Sequence, residues 1–139
     1  MGWALPGRQP FLPGARWRAV TKSARRSPSA LSTEWLRERG WAVDTCERFI
    51  PGANIRKDLF GVFDLVAIHP AATGVLGVQV TSRANAASRR EKMRASKLMA
   101  LWLECGNHAE LHHWKLEGER GKRKWQIKIE PWLGLNRMR

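Results

Sequence analysis

Two apolar runs near the middle of the chain predict neighbouring buried strands, at residues 64–68 and 75–82. Aliphatic and β-branched residues fill both runs, and the intervening Pro-Ala-Ala-Thr-Gly segment predicts a turn. Each run also carries polar residues where a buried sheet is normally apolar. Asp64 opens the first run, and Gln79 and Thr81 interrupt the second. Polar groups on two adjacent buried strands are typical of an active site.

The pattern along the rest of the chain predicts a mixed α/β fold. Ser27 and Pro28 favour the start of a helix that runs to Arg39, with Gly40 as its C-terminal cap. Further strands are predicted at residues 41–46, 109–116 and 124–129, with a polar loop after the first and a hairpin between the last two. One long helix is predicted from an Asn85 cap to residue 105. The predicted architecture is a mixed central sheet flanked by helices.

Charge points to a polyanionic partner. The 139 residues include 25 Lys and Arg against 12 Asp and Glu, a formal net charge of +13. Self-repulsion on this scale favours neutralisation by a polyanion, and DNA is the expected partner. Residues 1–27 contain six of these cations and no acid, which predicts a basic, flexible N-terminal arm ahead of one domain at 28–139.

No apolar run approaches the roughly 18 to 20 residues that a membrane-spanning helix needs, so no membrane partner is expected. Cys46 and Cys105 are far apart and in no pair spacing. That usage favours reduced thiols and a cytoplasmic protein.

The polar residues on the two central strands can bind a metal ion. Gln79 and Thr81 are two apart, so they project from the same face of a strand, and Asp64 on the next strand can join them. One carboxylate, one amide oxygen and a substrate phosphate can hold Mg²⁺ or Mn²⁺ weakly, and such a metal lowers the pKa of a bound water. Alternatively, Gln79 and Thr81 only satisfy local backbone groups and Asp64 caps a turn.

Over residues 28–129 the chain resembles the PD-(D/E)XK nuclease superfamily, most closely its small Holliday-junction-resolvase-like and phage members. The segment Phe63-Asp64-Leu65-Val66-Ala67 matches the Asp motif, and Val78-Gln79-Val80-Thr81-Ser82 lies where the superfamily has Glu-x-Lys. The resemblance implies a restriction-endonuclease-like αβββαββ core. It also implies Asp64 as a metal ligand, Gln79 in place of the acidic ligand and Thr81 in place of the lysine.

The departures from the superfamily pattern suggest substitutes. A threonine removes the cation that stabilises developing charge, and Arg56, Lys57 and Arg83 are the nearest basic residues. The superfamily often places a Glu on the first helix, where Glu34 is a candidate metal ligand here. Asp58, in the loop before Asp64, is a candidate for the missing carboxylate.

The predicted long helix is expected to face DNA. Arg90, Arg94 and Lys97 share one side of it, while Ala95, Leu98, Met99 and Trp102 form an apolar stripe on another. The predicted DNA-binding residues are Arg56, Lys57, Arg83, Arg89, Arg90, Arg94 and Lys97. The histidines at 108, 112 and 113 are interpreted as surface or half-buried residues rather than as a zinc site.

Three functions are consistent with these features. The first is a metal-dependent DNA endonuclease, with a preference for branched DNA or junctions and a homodimer if the target is symmetric. The second is a nuclease-fold protein that binds DNA without cleaving it, because the motif lysine is missing. The third is an RNA-binding or assembly role for the basic arm, for which the chain has no RNA-recognition motif.

Overall fold

The computed structural model describes residues 26–46, 48–53 and 55–132, apart from the side chains of Arg48, Ile55 and Arg56. The predicted basic arm lies almost wholly outside these residues and stays a prediction. The helices are α1 (Pro28–Glu38), α2 (Ala86–Ala95) and α3 (Lys97–Glu104). The strands are β1 (Ala42–Thr45), β2 (Arg48–Ile50), β3 (Ile55–Lys57), β4 (Leu65–Ile68), β5 (Leu76–Ser82), β6 (His108–Glu117) and β7 (Lys124–Trp132).

Five of the strands form one mixed sheet in the order β1-β4-β5-β6-β7. β1, β4 and β5 are antiparallel neighbours, β5 and β6 are parallel, and β7 returns antiparallel to β6. Parallel neighbours need a crossover connection, which α2 and α3 supply. The predicted α/β fold with a mixed sheet is therefore confirmed. No helix within the described ranges is long and apolar enough to cross a membrane.

Helices cover both faces of the sheet, and the alternation of side chains in β5 separates two cores. Leu76, Val78 and Val80 pack in the core that contains α1 residues, here called the α1 face. Gly77 points to the opposite side, the α2 face, where the ring of Phe63 packs with Met93 and Met99. A Cβ atom at Gly77 would approach that ring to 2.7 Å. The glycine therefore makes room for the aromatic side chain.

Local signals set the ends of α1 as predicted. The Ser27 hydroxyl caps the helix by accepting the Ala30 N–H at 3.1 Å, and Pro28 occupies the first turn. Gly40 follows the helix with φ of +93°, a conformation that glycine adopts without strain.

Two sequence predictions need correction. The polar loop after β1 contains a separate antiparallel ribbon, β2 and β3. The long helix is in fact two, because Ser96 adopts an extended ψ of 124° and its hydroxyl caps α3 by accepting the Met99 N–H. The break changes the helical phase, so Leu98 is 45% exposed while Met99 is buried. The predicted apolar stripe was wrong at Leu98 and Ala95 for this reason.

Candidate functional site

Asp64 lies directly before β4, where its carboxylate holds the end of the β4–β5 ladder. Its Oδ2 accepts the Val80 N–H at 2.8 Å, and its own N–H donates to the Val78 carbonyl at 2.8 Å. The residue is only 8% exposed. The structure therefore brings Asp64 to the strand that carries Gln79 and Thr81. These three residues are called the motif centre below.

Gln79 is hydrogen-bonded inside the protein at both ends of its amide. It is 1% exposed and points toward the α2 face. Its Nε2 donates to the Val62 carbonyl, and its Oε1 accepts the Nη1 of Arg89 at 3.2 Å. The amide oxygen that was predicted to bind a metal therefore faces a guanidinium group.

The other predicted site residues are dispersed. Thr81 is buried beside His113, its partner in the parallel β5–β6 register. Glu34 lies on α1, across the sheet from Gln79, and pairs with Arg26 at 2.9 Å. Asp58 is half-buried in the turn before Asp64, where its carbonyl accepts the Gly61 N–H.

The pKa of Cys46 depends on the acidic residues near the motif centre. Burial raises the pKa of the Cys46 thiol to about 11, with further upward contributions from the charges of Asp64, Asp44 and Asp58, in that order. These three carboxylates therefore lie within electrostatic reach of one thiol. Within the described ranges, however, no group of three or more His, Cys, Asp or Glu is arranged to hold a metal.

The donor set of the motif centre does not fit Mg²⁺ or Mn²⁺ as it stands. A hard divalent ion needs several oxygen ligands, and the amide oxygen of Gln79 is already an acceptor for Arg89. The guanidinium charge at that oxygen would also repel a second cation placed there.

A second polar cluster on the α2 face holds Arg90. Its Nε and Nη2 donate to the two carboxylate oxygens of Glu130 at 2.8 and 2.5 Å, and His113 contacts the same carboxylate at 3.0 Å. Hydrogen bonding from Arg90 is the main reason that the pKa of Glu130 falls to about 2. Arg90, predicted to contact DNA, is thus held by a carboxylate in this structure.

On the α1 face a Ser–His–Glu chain forms a buried support. The indole Nε1 of Trp114 donates to the Ser32 hydroxyl at 2.8 Å, and the same hydroxyl is hydrogen-bonded to Nδ1 of His112 at 2.9 Å. Nε2 of His112 then donates to Glu110 at 2.8 Å. The spacing matches a catalytic triad, but Ser32 and His112 are 0% exposed. A substrate has no access to this serine, so the hydrogen-bonded series of Ser32, His112 and Glu110 has a structural role.

The interpretation of the histidines as surface or half-buried was wrong for two of them. His112 and His113 are buried on opposite faces of β6, and each contacts a carboxylate. Strand alternation could have placed them on opposite faces. Their partners Ser32 and Glu130 come from distant parts of the chain, so no sequence signal connects them.

No protein-family model, curated protein or solved structure matches this chain. The likeness to PD-(D/E)XK nucleases therefore remains a resemblance in motif and element order.

The remaining predicted DNA-binding residues lie mostly at the surface. Lys57, Arg94 and Lys97 are exposed, although Arg94 pairs with Glu91 at 2.5 Å. Arg83 is half-buried after β5, where its Nη1 lies 3.7 Å from Glu117. The side chain of Arg56 falls outside the described part.

The far end of the β6–β7 hairpin carries a further group of cations. The β5–β6 pairing ends at Ser82 and Trp114, and β6 and β7 continue beyond it as a two-stranded segment. We call residues 115–126 the hairpin extension. All of its cations are exposed, namely Lys115, Arg120, Lys122, Arg123 and Lys124. Its acids are Glu117 and Glu119, so this surface is basic.

Proposed function

We propose that this chain binds DNA through a nuclease-like α/β domain whose motif centre is occupied by the protein's own side chains. The observation that carries the proposal is the Arg89 guanidinium hydrogen-bonded to Oε1 of Gln79. This contact gives the motif strand a structural role, while the basic surface lies elsewhere.

The sheet topology supports a nuclease-like domain. A helix is followed by three antiparallel strands, a helical crossover, a parallel strand and a final antiparallel strand. This is the order that the resemblance implies, with the β2–β3 ribbon as an insertion. Asp64 precedes the second strand of the meander, and Gln79 and Thr81 lie on the third.

The chemistry of the motif centre supports binding without metal-dependent hydrolysis. Thr81 offers no cation to stabilise charge in a transition state, and both ends of the Gln79 amide are used. Glu34, the helix acid of the resemblance, is neutralised by Arg26.

Charge supports DNA as the partner. The net charge is +13, and the exposed cations of the hairpin extension face no second layer of protein in the described structure. Lys and Arg on such a surface contact phosphates without reading sequence.

The test is fluorescence anisotropy with labelled duplex, branched and single-stranded DNA, and with RNA, over a range of salt concentrations. We expect tight DNA binding. The logarithm of the binding constant should fall linearly with the logarithm of the salt concentration, with a slope of roughly 0.7 to 0.9 for each neutralised phosphate. We also expect intact DNA after incubation with Mg²⁺ or Mn²⁺. Salt-independent binding, or a preference for RNA, would contradict the proposal.

A metal-dependent endonuclease is the second candidate, favoured by the contact of Asp64 with the motif strand. It predicts cleavage that EDTA and Asp64→Asn both abolish. Asp44→Asn is the matched control. Asp44 is an exposed acid that, like Asp64, raises the pKa of the Cys46 thiol, but it lies on β1. Cleavage with this pattern would favour the endonuclease. The predicted homodimer is a separate question that sedimentation velocity tests.

A further inference from the structure

A cavity of about 420 Å³ opens beside the hairpin extension, at the carboxyl ends of β5 and β6. Its lining includes Ser82, Arg83, Trp114, Lys115 and Trp125. Its volume is within the range of small-ligand pockets, and ligands of α/β sheets commonly bind at the carboxyl ends of parallel strands. The motif centre contributes none of the residues that line it.

The aromatic walls of this cavity are held by the fold. The Trp114 indole is 6% exposed, and its Nε1 donates to Ser32 in the buried Ser–His–Glu chain. Trp125 is half-buried and packs against the same core, and its cross-strand partner is Leu116. The polar chain beneath Trp114 therefore fixes one wall of the cavity before any ligand arrives.

The rim of the cavity is cationic. Arg83 is oriented by the Gln126 carbonyl at 3.4 Å and by Glu117 at 3.7 Å. Lys115 is exposed and lies 3.5 Å from the same Glu117, so two cations share one carboxylate. Aromatic walls and a surplus of cations suit a planar heterocycle that carries a phosphate.

We infer that this cavity binds an unpaired base of a DNA strand. The base stacks on Trp125, its phosphates lie against Arg83 and Lys115, and the cations of the hairpin extension contact the flanking phosphates. Stacking of one base on an aromatic side chain is worth about 1 to 3 kcal/mol. This inference rests on the proposed DNA-binding function and adds a preference for single-stranded or flipped-out nucleotides.

The experiment compares Trp125→Ala, Trp125→Phe and Trp41→Ala by anisotropy, with a single-stranded oligonucleotide and a fully paired duplex. Trp41 is the matched control, because it too is half-buried and packs against the α1-face core. We expect Trp125→Ala to weaken single-strand binding by about five- to a hundredfold. The phenylalanine variant should recover much of the loss, Trp41→Ala should cause none, and duplex affinity should stay unchanged throughout.

Photocrosslinking supplies a readout that is independent of stability. A single-stranded DNA containing 5-iodouracil should crosslink the wild-type protein in the peptide that contains Trp114 or Trp125, as identified by mass spectrometry. Crosslinks confined to other peptides, or equal loss of single-strand and duplex affinity in Trp125→Ala, would overturn the inference and leave DNA binding intact. Failure of the wild-type protein to bind any DNA would overturn both. Stronger crosslinking to the matching RNA would overturn the assignment to DNA.

Discussion

Asp64 and Gln79 of the motif centre are hydrogen-bonded inside the protein, whereas the polar side chains of the hairpin extension are exposed to solvent. At the motif centre, Asp64 accepts a strand N–H and Gln79 bonds a carbonyl and an arginine. In the hairpin extension, the cations Lys122, Arg123 and Lys124 are exposed to solvent. The polar residues that stand out in the sequence, Asp64 and Gln79, are thus hydrogen-bonded within the fold. The cations of the hairpin extension are exposed and can contact a ligand.

Burial explains this difference. A polar group removed from water destabilises the fold unless a partner replaces the lost hydrogen bonds. Helix α2 covers the middle of the sheet and brings Arg89 to the buried Gln79 and Arg90 to the half-buried Glu130. The hairpin extension continues past the end of β5, so its cations remain available to phosphates.

The largest effect is expected from Gln79→Leu. This change removes the Gln79 partner of the buried Val62 carbonyl and of the half-buried Arg89 guanidinium, so we expect a loss of about 2 to 4 kcal/mol in unfolding free energy. Urea denaturation measures it. Gln126→Leu is the control, because Gln126 is exposed, and it should change stability by less than about 0.5 kcal/mol. If the two variants were equally stable, the motif centre would not have the structural role assigned to it.

The hairpin extension should show the reverse behaviour. Replacing Lys122, Arg123 and Lys124 together by Gln should lower DNA affinity by about ten- to a hundredfold and reduce the salt slope by roughly 2 to 3, because each phosphate contact contributes about one unit. Unfolding free energy should stay within about 0.5 kcal/mol of wild type. Arg39→Gln removes an exposed cation after α1 and should leave the slope unchanged. An unaltered slope in the triple variant would locate the DNA surface elsewhere.

A smaller effect is expected where α2 meets β7. The pKa of Glu130 lies near 2 in the folded protein against an ordinary value of 4.5. A carboxyl group whose pKa is lower in the folded protein stabilises the fold at any pH above its pKa in the unfolded chain. That contribution is lost as the pH falls from about 4.5 toward 2. Because the carboxylate is 31% exposed, screening reduces the contribution to about 1 to 2 kcal/mol.

Glu130→Gln tests this contribution. At neutral pH the variant should be less stable than the wild type by the contribution of the ionised Glu130. Between about pH 4.5 and 2 the unfolding free energy of the variant should change less than that of the wild type. Urea denaturation at several pH values measures both. Glu119→Gln is the control, because Glu119 is exposed in the hairpin turn. The same pH dependence in wild type and Glu130→Gln would show that Arg90 is not held through this carboxylate.

Several elements of the fold follow directly from the sequence. The period-two alternation of residues 124–129 and the Ser27-Pro28 start signal both predict elements that the structure contains. The Ser96 break does not follow, because serine is tolerated inside helices and only the resulting cap and packing favour the extended backbone there. The β2–β3 ribbon was missed because its strands have three residues each, too few to show a period.

The site was less predictable than the fold, for a physical reason. Strand alternation correctly places Gln79 and Thr81 on one face, since it depends only on local geometry. Whether the Gln79 oxygen receives a metal or an arginine depends on where α2 crosses the sheet, and a short sequence motif contains no such information. The Trp114–Trp125 cavity likewise needs the β6–β7 register, which joins residues on separate strands.

The smallest effect tests the motif centre through Cys46. With its pKa raised from 9.0 to about 11, this thiol should react with iodoacetamide at about pH 8 roughly a hundredfold more slowly than an unperturbed one, because the thiolate is the nucleophile. Asp64→Asn should accelerate the reaction about two- to fivefold. It removes the largest charge contribution but leaves burial, the main cause, in place. Mass spectrometry in a Cys105→Ala background follows Cys46 alone.

The same thiol separates the two candidate functions without any cleavage assay. A divalent cation bound at the Asp64 carboxylate would offset that negative charge, lower the pKa of Cys46 and speed its alkylation. Because Arg89 already faces the Gln79 oxygen, we expect Mg²⁺ and Mn²⁺ to leave the rate unchanged, as Ca²⁺ should. An acceleration by Mn²⁺ that disappears in Asp64→Asn but persists in Asp44→Asn would put a metal at the motif centre. In that case the centre would be open to ligands, and its contrast with the hairpin extension would no longer hold.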